Sequence, residues 1–190
     1  MKSVGLTRGA AATTLLLSAL CVQGAVPSWC ETTEGAPDAD SGSIRRFTVT
    51  SAFLRDDITV DVWTPEGYES SGSRLPVVYT HDGQNLFDGA LSFAGVAWEL
   101  DRTAQRLAHE GKATAPIVVG ISNRGSKDRR PNDYFPEKAL GYIAESDRKS
   151  THIFRTCSNN FLGDEHARFV AEELKPLVDS LYRTLPDRAH

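Results

Sequence analysis

The chain has few cysteines, and none are closely spaced. Its 190 residues include only Cys21, Cys30 and Cys157, and no Cys-x-x-Cys pair occurs. This spacing excludes a zinc site of the usual cysteine type. Cys30 and Cys157 could pair in an oxidising compartment, and the sequence leaves open whether they do.

The chain also lacks a basic excess and a long apolar run. It has 21 basic and 25 acidic residues, and without residues 1–24 the balance is 19 to 25. A phosphate-binding surface needs a basic face, so we expect no nucleic-acid partner. The apolar stretch from Ala10 to Val22 is shorter than the roughly 20 residues of a membrane helix. We therefore expect no stable membrane association.

The N-terminal segment has the pattern of an export signal. Lys2 and Arg8 precede the apolar stretch, and small residues near positions 24 and 25 suit cleavage. Residues 1–25 are therefore predicted to be a signal peptide, and the protein to be secreted or periplasmic. Residues 26–43 are rich in Ser, Gly, Thr and Pro and predict a flexible linker. Residues 44–190 are left for one folded domain.

Four apolar patterns predict strands, over residues 44–50, 58–63, 75–80 and 115–121. The first two follow each other without a helix and predict an antiparallel hairpin. The last two are continuously apolar, as in the buried interior of a parallel sheet.

Two helical patterns accompany these strands. Apolar residues recur at helical spacing over 96–110 and again over 164–182. Pro176 lies within the second pattern and predicts a kink or a break there. Residues 122–160 are mostly polar and predict an irregular segment. Strand–helix–strand–helix order predicts an α/β fold, a mostly parallel sheet with flanking helices.

The segment HDGQNLFD directly follows the strand predicted at 75–80. Gly83 permits a sharp turn and close approach of the backbone to a ligand. Amides just beyond such a strand face the crevice where open α/β sheets bind ligands. This turn is therefore the best candidate for a site.

Four blocks occur in this order along the chain: HDGQNLFD, FAGVAWELD, PIVVGISNRG and FVAEELKPLVDSLYRTLPDR. Together they resemble the putative-esterase family of α/β hydrolases. That family includes esterase D-like, feruloyl and enterochelin esterases. The resemblance covers about residues 58–190. It implies the N-terminal portion of an α/β-hydrolase fold, a serine esterase activity without a cofactor, and a small-molecule or polysaccharide-linked ester as substrate.

The resemblance also implies which parts of the reaction centre are present. The loop around Gly83 and Gln84 matches the oxyanion loop, whose backbone amides bind developing negative charge. No Gly-x-Ser-x-Gly occurs among the 190 residues. The resemblance places that turn, the acid and the histidine beyond residue 190. The sequence therefore predicts a domain truncated before the nucleophile elbow and inactive by itself, or alternatively a non-catalytic exported binding module.

Other residues with reactive side chains lack the pattern that their chemistry requires. Ser122 lacks the close glycines of a nucleophile turn, and the neighbours His81 and Asp82 are predicted to point apart. A metal site is not predicted, because the acidic residues are not grouped in one tight loop. The candidates for a substrate loop are Arg124, Arg130 and Tyr134. Trp63 and Trp98 are predicted to pack in the core.

Overall fold

The structure is a computed structural model that describes residues 28–124, 129–151, 154, 160–185 and 187. The predicted signal peptide lies outside these residues, as does Cys157, so its pairing with Cys30 stays untested. Within the described residues no helix is both long enough and apolar enough to cross a bilayer.

Five strands form one sheet. In sheet order they are β1, β2, β3, β5 and β4. Their bounds are β1 (Ser28–Thr32), β2 (Ser43–Ser51), β3 (Asp56–Thr64), β4 (Val77–His81) and β5 (Ile117–Ile121). The four strands predicted from apolar patterns are thus present. The predicted opening hairpin is β2 and β3, which pair antiparallel along nine residues each.

The sheet is mixed, whereas the sequence predicted a mostly parallel one. β1 pairs antiparallel with β2, β2 with β3, and β3 with β5, and only β4 and β5 run parallel. The physical reason is the connections. The connections from β1 to β2 (residues 33–42) and from β2 to β3 (residues 52–55) are shorter than a crossover requires, so these strands pair antiparallel. The long connection from β4 to β5 contains α2 and permits parallel pairing.

β1 lies inside the segment predicted to be a flexible linker, so that prediction was wrong for Ser28–Thr32. The Trp29 ring stacks on Phe47 of β2 with centroids 4.1 Å apart. One stacked aromatic pair and the backbone pairing with β2 hold the strand in place. Neither contact shows as a periodic apolar pattern, which is why the sequence did not indicate it.

The helices are short. Besides a 3-10 turn at Gly83–Asn85 there is a second 3-10 helix at Glu137–Tyr142, so residues 122–160 are less irregular than predicted. The other helices with described bounds are α1 (Tyr68–Ser71), α2 (Leu100–His109), α3 (Arg129–Tyr134), α4 (Glu145–Ser150), α5 (Gly163–Arg168), a π-helix (Phe169–Leu174) and α6 (Lys175–Leu181).

α2 begins four residues later than the sequence predicted. Glu99 adopts a left-handed conformation with φ 52°, and the Trp98 amide donates to the Asn85 carbonyl at 2.8 Å. These two features stop the helix from extending backwards. Trp98 is therefore 58% exposed, and the prediction that it packs in the core was wrong. Trp63 is fully buried, as predicted.

The chain stays helical through Pro176, and a change of hydrogen-bond pattern is found where a kink or a break was predicted. α5, the π-helix and α6 follow one another without a gap, and the hydrogen-bond pattern changes in the turn before Pro176. Proline has no N–H to donate, so the regular pattern cannot continue through it. One face of the sheet packs on this helical segment through Phe169, Leu174 and Val178, and the other face packs on α2.

Candidate functional site

β4 and β5 end at the same edge of the sheet, where His81 pairs with Ile121. The chain then reverses sharply at Asp82, which is left-handed with φ 57° and ψ 43°. Asn85 N donates to Asp82 O at 2.9 Å and Leu86 N donates to Gly83 O at 3.2 Å, which closes the 3-10 turn. We call residues 82–86 the strand-end turn.

The strand-end turn lies directly against β5. A Cβ at Gly83 would lie 2.5 Å from the carbonyl carbon of Gly120. A Cβ at Gly120 would in turn lie 2.7 Å from a methyl of Leu86 and 3.2 Å from the Gly83 Cα. Glycine is therefore required at both positions. The sequence indicates Gly83 as a turn residue, whereas it does not indicate that Gly120 makes room for the turn.

The first amides of the strand-end turn have no acceptor within it. Its internal bonds begin with Asn85 N, so the N–H groups of Gly83 and Gln84 are left over, as at every helix start. Unpaired amides at a helical N-terminus favour a negatively charged ligand. This geometry suits an oxyanion hole, which remains the predicted role of Gly83 and Gln84.

The Asp82 carboxylate is held by two side chains from the segment after β5. Arg130 Nε donates to Oδ1 at 2.8 Å and Arg130 Nη2 to Oδ2 at 2.6 Å, while Asn123 Nδ2 donates to Oδ1 at 2.9 Å. The Arg130 hydrogen bonds lower the pKa of Asp82, with Asn123 contributing and burial opposing. Asp82 is 8% exposed, so its negative charge is largely enclosed by these donors.

Gln84 is attached to the same segment. Its Oε1 accepts the backbone N–H of Asn123 at 3.1 Å. The Gln84 side chain thus links the strand-end turn to the residues just beyond β5. Asn123 therefore contacts the strand-end turn twice: its backbone N–H donates to Gln84 and its side-chain amide donates to Asp82.

The three candidates for a substrate loop lie around this network. Arg124 is almost enclosed, with its side chain 9% exposed and paired with Asp133 and with Asp56 at 3.2 Å. Arg130 is paired with Asp82. Tyr134 lies under the Arg130 guanidinium, 5.2 Å from the ring centroid. Both arginines already have carboxylate partners within the protein, and a role in substrate binding stays a prediction.

Three rings meet behind the end of β4, and we call them the histidine–tyrosine cluster: His81, Tyr134 and His166. His81 lies 4.6 Å from the Tyr134 centroid and 5.1 Å from that of His166. His166 Nε2 is 3.3 Å from His81 Nδ1. Burial lowers the pKa of His166 to about 4, with His81 adding to the effect, and burial raises the pKa of Tyr134 to about 12. The sequence did not indicate this cluster.

The alternatives weighed from the sequence gain no further support. His81 and Asp82 have different partners, the first in the histidine–tyrosine cluster and the second at Arg130. Ser122 follows β5, and its amide donates to Thr59 O at 3.0 Å. Among the described residues no three His, Cys, Asp or Glu side chains are arranged to hold a metal ion.

The mixed sheet with helices packed on it agrees with the fold of α/β hydrolases. A family model described as "Putative esterase" matches residues 51–190, so the chain belongs to that family. No match to a curated protein reaches significance.

Solved structures of esterases and hydrolases resemble the chain. An IroE-like serine hydrolase from Shewanella oneidensis is 25% identical with a TM-score of 0.54, and the match covers 75% of this chain and 39% of that one. A ferulic acid esterase is 20% identical with a TM-score of 0.53, and the match covers 81% of this chain and 48% of that one. The BES protein from Bacillus cereus is 15% identical with a TM-score of 0.53, and the match covers 80% of this chain and 52% of that one. The chain thus spans about half or less of these proteins, and the last two comparisons show the fold alone.

Proposed function

We propose that this chain is the N-terminal part of an exported serine carboxylic-ester hydrolase and supplies its oxyanion site. The observation that carries the proposal is the position of the Gly83 and Gln84 amides, which are the first two of the turn that directly follows β4. In acyl transfer such amides stabilise the tetrahedral intermediate, because negative charge develops on the former carbonyl oxygen. Membership of the esterase family supports this role.

One contact beside β4 in the described residues supports the proposed position of the nucleophile. Leu75 and Thr184 form a parallel bridge, with Leu75 N donating to Arg183 O at 2.9 Å and Leu185 N to Leu75 O at 2.8 Å. A strand continuing from there would run beside β4 and end at the edge that carries Gly83. By resemblance, the nucleophile elbow follows that strand. The attacking serine would then face the strand-end turn.

The proposed reaction needs groups that resemblance places beyond residue 190. A serine would attack the ester carbonyl, a histidine would accept its proton, and an acid would orient the histidine. Residues 1–190 alone would therefore be inactive, since covalent catalysis requires the nucleophile and its base. The N-terminal pattern supports export, and a small-molecule or polysaccharide-linked ester is the proposed substrate class.

The test compares two proteins, residues 1–190 and the protein as its gene encodes it. Both are treated with a fluorophosphonate probe, which labels activated serines, and are assayed with an aryl acetate. We expect stoichiometric labelling and turnover only when a Gly-x-Ser-x-Gly segment follows residue 190. Labelling or fast turnover by residues 1–190 would contradict the division of roles. A reading frame that closes at residue 190 with a folded, unlabelled product would favour a non-catalytic binding module.

A further inference from the structure

We propose that Arg130 is a positioning residue for the oxyanion site: it holds the Asp82 carboxylate and thereby keeps the amides of Gly83 and Gln84 in a fixed direction. This inference rests on the proposed function. It assigns to Arg130 a role different from the substrate contact that the sequence suggested.

The first step is the conformation of Asp82. A left-handed backbone is uncommon for residues other than glycine, although aspartate tolerates it better than most. The chain needs this conformation because β4 must end and the strand-end turn must begin within one residue. Such a conformation persists only where surrounding contacts favour it. The direction of the Gly83 amide follows directly from the Asp82 backbone angles, and that of the Gln84 amide from the angles of Asp82 and Gly83 together.

The second step is the geometry of the contact. The two Arg130 nitrogens each bond a different Asp82 oxygen, at 2.8 and 2.6 Å. A guanidinium that bonds a carboxylate at two points fixes its plane as well as its position. The Asp82 side chain is 11% exposed and the Arg130 side chain 51% exposed, so water competes mainly for the arginine. Without Arg130, the Asp82 carboxylate would be buried away from water with no charged partner.

The third step is the support of Arg130 itself. It lies on α3, and its guanidinium covers the Tyr134 ring. Tyr134 in turn contacts His81, the last residue of β4. At the other end of α3, buried Asp133 pairs with Arg124, which also contacts Asp56 at the start of β3. α3 is therefore anchored to β3 and β4, and it offers Arg130 to Asp82 from a fixed position.

The fourth step is that the strand-end turn is held on both sides of Gly83. Arg130 and Asn123 hold Asp82 before it, and Asn123 N holds Gln84 after it. Gly83 itself is in contact with Gly120. Of the two side chains that hold Asp82, only Arg130 carries a charge and bonds both carboxylate oxygens, so it is expected to contribute most to holding the turn.

The test uses the protein as its gene encodes it, with Arg130→Ala and the matched control Arg129→Ala. Arg129 is adjacent on α3, equally exposed at 52%, and paired with Asp56 instead of Asp82. Two properties are measured: kcat and KM for an aryl acetate, and hydrogen exchange of the Asn85 and Leu86 amides, whose bonds close the turn. The exchange measurement does not require activity.

We expect Arg130→Ala to lower kcat by about 10- to 100-fold with KM changed less than about 3-fold, since misdirected oxyanion donors affect the transition state more than substrate binding. Exchange of the two amides should accelerate by about 10-fold. Arg129→Ala should leave both properties within about 2-fold of wild type. Arg130→Lys, which keeps the charge without the two-point contact, should restore part of kcat.

A double-mutant cycle tests whether Arg130 acts through Asp82. If it does, Arg130→Ala adds little to the effect of Asp82→Asn, because the shared contact is already lost. Additive effects on kcat would overturn the inference, as would wild-type kcat and exchange in Arg130→Ala. Absence of esterase activity in the wild-type protein would instead overturn the proposed function. In that case the exchange rates alone decide whether Arg130 holds the turn.

Discussion

At the scale of single residues, Gly83 and Gly120 let two backbone segments touch. The strand-end turn lies on β5 at a distance that no side chain would permit. Because the amide directions depend on that contact, a single methyl group there should disturb both stability and the site.

Gly83→Ala is expected to lower the free energy of unfolding by about 1–3 kcal/mol, because its Cβ would overlap the Gly120 carbonyl carbon and the turn must shift. The measurement is urea unfolding followed by circular dichroism. Gly141→Ala is the matched control, since nothing lies within 4 Å of a Cβ at Gly141. Its stability should be unchanged or slightly raised. Equal stability of the two variants would contradict the close contact seen at Gly83.

The burial of His166 should make the stability of the protein depend on pH. It is 6% exposed, and its Nδ1 lies buried without a hydrogen-bond partner among the described residues. Burial lowers its pKa from the ordinary 6.5 to about 4, so the folded protein keeps this ring neutral. Between these two pH values the unfolded chain binds a proton at His166 that the folded chain does not.

The protein is therefore expected to lose stability as pH falls from about 7 to about 4, by roughly 2–3 kcal/mol from His166 alone. His166→Phe should flatten the pH dependence across this window, because no proton can then be taken up at the position. The pH dependence is measured by determining the free energy of unfolding of both proteins at several pH values. His109→Phe, at a side chain that is 65% exposed, should keep the wild-type slope. A slope unaffected by His166→Phe would refute the assignment.

At the scale of elements, the helical segment from α5 to α6 is joined to the sheet by a buried carboxylate. Glu173 lies in the π-helix and is 5% exposed. Its Oε2 accepts the Ser51 hydroxyl at 2.6 Å and its Oε1 accepts Ala52 N at 3.0 Å, both at the end of β2. Ser51 Oγ also accepts Leu54 N at 3.0 Å, which continues the network into the turn before β3.

Glu173→Ala is expected to lower the free energy of unfolding by about 1–3 kcal/mol, because the buried Ser51 hydroxyl loses its acceptor and Ala52 N loses a hydrogen bond. Thermal and urea unfolding measure the loss. Glu172→Ala is the neighbouring control. Glu172 is 53% exposed and pairs only with exposed Arg168 in the contacts described, so a change within about 0.5 kcal/mol is expected. A small effect at Glu173 would show that the network adds little to stability.

At the scale of the whole molecule, the sheet has an exposed edge at β4. In the described part of the chain β4 pairs with β5 on one side, and on the other side only the single bridge from Leu75 to Thr184 is present. Val78, in the middle of β4, is 43% exposed. Open strand edges with apolar side chains promote pairing between molecules.

Residues 1–190 made alone are therefore expected to self-associate, and Val78→Lys to reduce the association, since a charged edge residue opposes strand pairing. Size-exclusion chromatography with light scattering measures the mass of both proteins. Val96→Lys is the control at an apolar side chain that is 69% exposed but lies in a loop, and it should not change the mass. A monomeric wild-type chain with a cooperative melt would contradict this expectation.

The strands and the turn after β4 could be predicted because their signals are local. Alternating or continuous apolar residues identify a strand, and Gly83 directly after such a run identifies the turn. The start of α2, the strand β1 and the exposure of Trp98 could not be predicted this way. They depend on the left-handed Glu99, on the Trp29–Phe47 stack and on Asn85, all set by contacts outside the local pattern.

The sequence by itself determined the sharp turn after β4, because Gly83 follows closely after an apolar strand and a glycine permits the close approach to β5. Only the tertiary structure decided which side chains hold the strand-end turn. Arg130 is 48 residues from Asp82, and His166 is 85 residues from His81. Such contacts arise from the packing of α3 and α5 against the ends of the strands. No periodicity encodes them, because a hydrogen bond between distant residues depends on the positions of both backbones.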